Sequence, residues 1–150
     1  AAHHRSRRAR VIDRRASAHQ YVVMTIARVQ LVSIPVSDQD RARDFYVEIL
    51  GLELAMDTQL GPDMRWVMVK PRGAATALTL VTWFPSMPAG SLRGTVLETD
   101  DLDADVQRLT GLGLNIPGGI EEAPWGRFVQ FEDPDGNAIV LQATSADIGG

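Results

Sequence analysis

The stretch Phe131-Glu132-Asp133-Pro134-Asp135-Gly136-Asn137-Ala138-Ile139-Val140-Leu141 narrows the possible folds of this chain more than any other. Pro134 fixes φ at the first corner of a tight turn, and Gly136 can take the φ > 0 position that closes it. Apolar residues with β character flank the turn, Phe128 to Phe131 before it and Ala138 to Leu141 after it. Together these features predict a β-hairpin. A fainter copy lies upstream, where Trp66-Val67-Met68-Val69-Lys70-Pro71-Arg72-Gly73 precedes Ala77-Leu78-Thr79-Leu80-Val81. The chain reads as one unit written twice.

Each copy is preceded by the same order of elements. Residues 24–36 are rich in Ile, Val and Leu and predict a strand, ended by Pro35 and by Ser37-Asp38, which are good helix caps. Ala42, Phe45, Tyr46, Ile49 and Leu50 recur at helical spacing, and Gly51 supplies a left-handed stop. Leu52, Leu54 and Met56 alternate with Glu53, Ala55 and Asp57 as a half-buried strand would, and Gly61-Pro62-Asp63 turns the chain into the first hairpin. Residues 85–91 have the make-up of a linker. The order then recurs: a strand at 94–98, a helix capped by Asp100-Asp101 and stopped by Gly111 and Gly113, a short strand at 114–116, and the second hairpin. Laying Asp38 on Asp101 puts Leu31 opposite Gly94, Trp66 opposite Phe128 and Thr79 opposite Val140. A duplicated β-α-β-β-β unit is the economical reading, with modules at about 26–84 and 93–143 inside a domain spanning 24–150.

Charge separates this domain from what precedes it. Residues 1–23 carry six Arg against one Asp, and all three His. The remainder carries 9 Lys and Arg against 18 Asp and Glu. An acidic domain is a poor partner for nucleic acid. The Arg-rich segment shows no helical periodicity and reads as a disordered tail or an upstream extension ahead of Met24, with a targeting or phosphate-binding arm as the other use. No apolar run is long enough for a membrane span. Cysteine is absent, which removes disulfides, thiolate metal sites and a cysteine nucleophile and fits a reducing cytoplasm, the expected location.

Ile34-Pro35-Val36-Ser37-Asp38, Ala42, Phe45-Tyr46, Leu50-Gly51-Leu52, Asp100 to Ala104, Pro124-Trp125-Gly126 and Asp133 to Asn137 resemble the vicinal oxygen chelate superfamily. That group includes glyoxalase I, extradiol dioxygenases, fosfomycin-resistance thiol transferases and bleomycin-resistance proteins. The likeness covers residues 26–143. It implies an α+β fold in which two tandem βαβββ modules form a half-open, barrel-like sheet around a cavity, with homodimer formation usual.

In the metal-dependent members, four cavity-facing strand positions supply His and Glu to one divalent ion. Carried over by motif, these positions are Leu31, Thr79, Gly94 and Val140. Leu and Val offer no lone pair, Gly has no side chain, and a neutral Thr hydroxyl is a weak ligand. From Met24 onward there is neither His nor Cys. The expectation is therefore a domain without metal or other cofactor, which argues against chemistry that uses an ion as Lewis acid.

The expected pocket residues follow from strand parity. Trp83 keeps the alternation of Thr79 and Val81, Trp66 lies on the adjoining strand, and Trp125 sits in the turn before the last hairpin. Three tryptophans could stack on a flat or cationic ligand, or fill core and dimer contacts. Ser33, Thr79 and Gln142 share parity with the carried-over positions and could hydrogen-bond a ligand or a core neighbour. Glu98 is the one candidate for acid–base work, with an exposed strand-end carboxylate as the plainer alternative. Arg65 and Arg127 occupy corresponding places and read as solvated surface arginines, with anion recognition as the other use. The function these features favour is a homodimer of bleomycin-resistance type that sequesters a small, partly aromatic, cationic-leaning molecule. The alternative is a lyase, isomerase or dioxygenase with an unrecognised carboxylate or metal site.

Overall fold

The structure is a computed structural model and describes residues 25–145. The expected disordered tail over residues 1–23, and Met24, lie outside the described residues. Two modules follow one another. The first comprises β1 (Leu31–Pro35), α1 (Gln39–Asp44), β2 (Glu53–Gly61), β3 (Met64–Lys70) and β4 (Ala77–Val81). The second comprises β5 (Thr95–Glu98), α2 (Leu102–Gly111), β6 (Glu121–Ala123), β7 (Gly126–Glu132) and β8 (Ala138–Thr144). Each forms a four-stranded mixed sheet, ordered β1-β4-β3-β2 and β5-β8-β7-β6, and neither closes into a barrel. The first strand of each module runs parallel to its last, Leu31 to Pro35 beside Ala77 to Val81 and Thr95 to Glu98 beside Ile139 to Gln142.

The helix starts follow from their caps. Asp38 is extended and accepts from the Arg41 N–H, and Asp101 accepts from the Ala104 N–H, so both duplicated aspartates satisfy first-turn donors. After Asp44 the first helix widens into a π turn over Phe45–Ile49, where the Leu50 N–H reaches the Phe45 carbonyl at 3.0 Å. Phe45 and Tyr46 are both buried there and meet edge to face at 5.3 Å.

Three expected strands change. Leu114 and Ile116 pack against the core but join no ladder; the short strand of the second module is instead Glu121–Ala123, paired with β7 through Glu121 and Phe128. β1 begins at Leu31, later than the apolar run that predicts it. β2 extends to Gly61 with two irregularities, one between Leu54 and Met56 and one between Gln59 and Gly61.

Residues opposite one another across a ladder share a face. On the helix side, Ile34, Leu80 and Val67 form one row and Leu78 and Val69 another, against Ala42, Phe45 and Tyr46. In the second module Leu97, Leu141 and Val129, then Ile139 and Phe131, meet Leu102 and Leu109. These buried residues form one continuous cluster across both modules, and each large side chain removed from water contributes about 1.5–3 kcal/mol.

A polar latch joins the halves. Asp133, buried in the second hairpin turn, accepts from the Asp135 and Asn137 N–H groups, from Asn137 Nδ2 and from the Tyr46 hydroxyl at 2.8 Å. Asn137 Nδ2 also donates to the Pro35 carbonyl, and its Oδ1 accepts from the Leu92 N–H. Asp135 accepts from Ser37 and Arg41 of the first module. Gly136 takes φ +98°, as the turn requires. Gly90, at φ +81°, lies so close to this turn that an added Cβ would sit 2.0 Å from the Asp135 carbonyl oxygen.

The two arginines placed in correspondence by the repeat bind their own modules. Arg65 pairs with Asp57 at 2.8 Å and with Asp40 at 2.9 Å, and Arg127 pairs with Asp103 at 3.0 Å. Both tie the sheet to the capped end of its helix. Both stay at the surface, as expected of solvated arginines, while these carboxylates take up the charge that the anion-site alternative needs.

Candidate functional site

The faces turned away from the helices carry the expected pocket residues. In the first module Ser33, Thr79 and Met68 stand side by side, with Leu31 and Ala77 one repeat before them. Trp66 lies on the same face of β3, and its ring meets that of Trp83 at 5.5 Å. Phe84 extends the cluster at 6.1 Å from Trp83 and is half-exposed. In the second module the corresponding row is Val96, Val140 and Gln130, followed by Glu98, Gln142 and Phe128. Trp125 stacks on Phe128 at 6.5 Å with 18° between the planes, and is 49% exposed.

The structure thus gathers the predicted residues into two sets. Ser33, Thr79, Trp66 and Trp83 form one, and Glu98, Gln142 and Trp125 the other. Met68 and Phe128, missed as pocket candidates, follow from the parity of their neighbours. Thr144 is the other addition: its hydroxyl accepts from Gln142 Nε2 at 3.1 Å and approaches Glu98 at 3.4 Å. β4 ends at Val81, so Trp83, expected from that strand's alternation, and Phe84 both lie beyond it, and no period-2 signal marks Phe84.

Thr79 is fully buried, and its hydroxyl has no hydrogen-bond partner among the described residues. A buried hydroxyl without a partner costs about 1–3 kcal/mol. Native structures seldom retain such a group without a use.

The positions carried over by resemblance offer an ion only weak donors. Thr79 pairs with Ser33 and Val140 with Val96, while Leu31 opens β1 and Gly94 precedes β5 at φ +89°. Two neutral hydroxyls among hydrocarbon side chains do not suit a divalent cation. Among the described residues, no three His, Cys, Asp or Glu side chains are grouped as metal ligands. Glu98 is exposed at the end of β5, beside neutral Gln142 and Thr144 rather than a second acid or base. The two sheet faces offer stacking surface and hydrogen bonds, while Glu98 also lines a cavity with Asp105 and Arg108.

Among the cavities lined by described residues, three border the two sheets. One of about 400 Å³ lies between the modules, bordered by Val32 and Leu78 on one side and Thr95 to Glu98 on the other. A smaller one of about 120 Å³ adjoins it through Pro71, Leu97 and Glu98. The third, about 490 Å³, lies beside Leu114, Asn115 and Gln130. None of the three is lined by a tryptophan. Edge strands β1 and β5 both border the first, and their Val32 and Val96 are 42% and 54% exposed. No helix among the described residues is long and apolar enough to cross a membrane.

Comparison with known proteins gives a consistent picture. The family model described as Glyoxalase/Bleomycin resistance protein/Dioxygenase superfamily matches residues 25–141. The chain is 54% identical to TnmS3, an antibiotic binding protein from Streptomyces sp. CB03234, covering 81% of this chain and 99% of that crystal structure at a TM-score of 0.77. A member of the same superfamily from Sphaerobacter thermophilus is 40% identical, with 80% and 99% covered and a TM-score of 0.75. The uncharacterised Bacillus subtilis protein YetH is 33% identical over 120 residues, 78% of this chain and 98% of that one.

Proposed function

The chain belongs to the Glyoxalase/Bleomycin resistance protein/Dioxygenase superfamily, and from that premise we propose that it is a metal-free homodimer that binds and sequesters a small, partly aromatic molecule. The observation that carries this reading is the pairing of aromatic surface with the loss of metal donors on the same sheet faces. Trp66 and Trp83 provide one aromatic surface and Trp125 on Phe128 another. The positions that bind an ion in catalytic members hold Leu31, Thr79, Gly94 and Val140. The 54% identity to an antibiotic binding protein supports the same reading.

Each module contributes half of the crevice. The first half is uncharged around Thr79 and suits the flat part of a ligand by stacking. The second carries Glu98 beside Gln142 and Thr144, and suits a cationic or hydrogen-bond-donating end. Two copies related by a twofold axis would set the first module of one chain against the second module of its partner, making two identical crevices. The exposed apolar side chains on β1 and β5 are what such an interface would cover.

Two measurements test this together. Light scattering after gel filtration is expected to give twice the chain mass. Tryptophan emission, titrated with a panel of planar aromatic antibiotics, is expected to quench saturably at one ligand per chain. Adding Mn²⁺, Fe²⁺, Ni²⁺ or Zn²⁺ is expected to leave the thermal midpoint unchanged; stoichiometric binding with a rise in that midpoint would point instead to a metal-dependent enzyme.

A further inference from the structure

Thr79 and Val140 occupy equivalent places in the two modules. Each lies on the last strand, on the face turned from the helix, beside the first strand at Ser33 and Val96 respectively. The second module therefore builds the same fold with a hydrocarbon side chain of nearly the same shape. In the first module a hydroxyl stands there instead, fully buried and without a partner among the described residues. The fold does not require the oxygen, and burial without a partner makes it a liability in the free protein.

We propose that Thr79 Oγ1 is a specificity-determining group, engaged by an oxygen or nitrogen on the ligand's aromatic part. This deepens the binding reading above and rests on it. The group stands on the same face as Trp66, so a flat ligand stacked there presents its edge toward Thr79. Met68, directly across from Thr79, is the side chain such a ligand atom displaces; an unbranched thioether adapts to that more readily than a branched residue. Ser33, on the other side, offers a second hydroxyl to the same atom. A planar ligand with a polar substituent is thereby separated from its bare hydrocarbon counterpart, because only the former pairs the buried hydroxyl. The two halves then play different parts. Thr79 reads the ring's substituent in one, and the acidic half around Glu98 receives the other end.

The full chain is compared with its Thr79→Val and Thr79→Ser variants by thermal midpoint and by equilibrium dialysis. The probes are matched pairs differing in one hydroxyl, 2-naphthol with naphthalene and 1-hydroxypyrene with pyrene. The unsubstituted chain is expected to prefer the hydroxylated probe about tenfold or more. Thr79→Val is expected to reduce that preference to less than about twofold while melting at the same temperature or higher. Thr79→Ser is expected to keep it. A Thr79→Val protein that retains the preference, melts several degrees lower or fails to fold overturns the assignment. Binding of both probes without preference overturns this assignment alone. Binding of neither probe overturns it together with the sequestration reading.

Discussion

Replacing Tyr46 with Phe removes one oxygen from the latch between the modules and leaves its packing intact. Tyr46 is fully buried and donates to Asp133 Oδ2 at 2.8 Å. Asp133 keeps three other donors, so the substitution removes one charge-assisted hydrogen bond without leaving the carboxylate bare. A hydrogen bond to a charged group contributes about 1.5–3 kcal/mol. At roughly 4 °C per kcal/mol for a domain of this size, the thermal midpoint should fall by about 6–12 °C. Urea unfolding should show a lower midpoint with an unchanged slope.

The pH dependence supplies a second readout. Burial, and then the Asp133 charge, push the Tyr46 phenol well above its ordinary value of 10.0. The folded state therefore holds the proton at pH values where the unfolded chain has released it. Stability from this group is complete below about pH 10 and declines above it, by about 1.4 kcal/mol per pH unit until the folded pKa is reached. Tyr46→Phe should lack that component of the alkaline decline. A variant within about 0.5 kcal/mol of the unsubstituted chain, with the same alkaline slope, would refute the latch.

Further outcomes are open to measurement. Trp83→Ala should lower affinity for a planar aromatic ligand at least about tenfold, or 1.4 kcal/mol, without changing the number of chains per assembly; dialysis and light scattering check the two parts. Gly90→Ala forces a Cβ to 2.0 Å from the Asp135 carbonyl at positive φ and should destabilise the domain by at least about 2 kcal/mol in urea. Arg65, and then Arg43, hold the Asp57 carboxyl down at about 2. That contribution is present above about pH 4 and lost as pH falls toward 2, so Asp57→Asn should flatten the acid limb of a stability–pH curve. Because these pairs are partly exposed, the change at pH 7 should be only about 1 kcal/mol.

Where the fold departs from local propensity, the cause is shared. Glu121 and Glu122 lack strand propensity and alternation, yet Glu121–Ala123 pairs because β7 offers an open edge; Leu114 and Ile116, which look more strand-like, satisfy their burial without a ladder. Propensity is local, whereas pairing depends on which edge lies within reach. Arg65 and Arg127 were visible as a corresponding pair, but Asp40, Asp57 and Asp103 became their partners only when helix and sheet came together.

By itself the chain's order of residues determined the duplicated βαβββ unit, both N-caps, the second hairpin turn and the side chains at the four carried-over positions, Leu31, Thr79, Gly94 and Val140. Each of these follows from short-range chemistry: a proline's fixed φ, a carboxylate over free N–H groups, the alternation of a strand, the absence of His and Cys from Met24 onward. Tertiary structure alone decided that Trp66 meets Trp83 while Trp125 stacks on Phe128, that Tyr46 reaches Asp133, and that the Thr79 hydroxyl is buried without a partner. Apart from the Trp125–Phe128 stack, whose residues are three apart, these depend on residues distant along the chain and on how two sheets and two helices share one core.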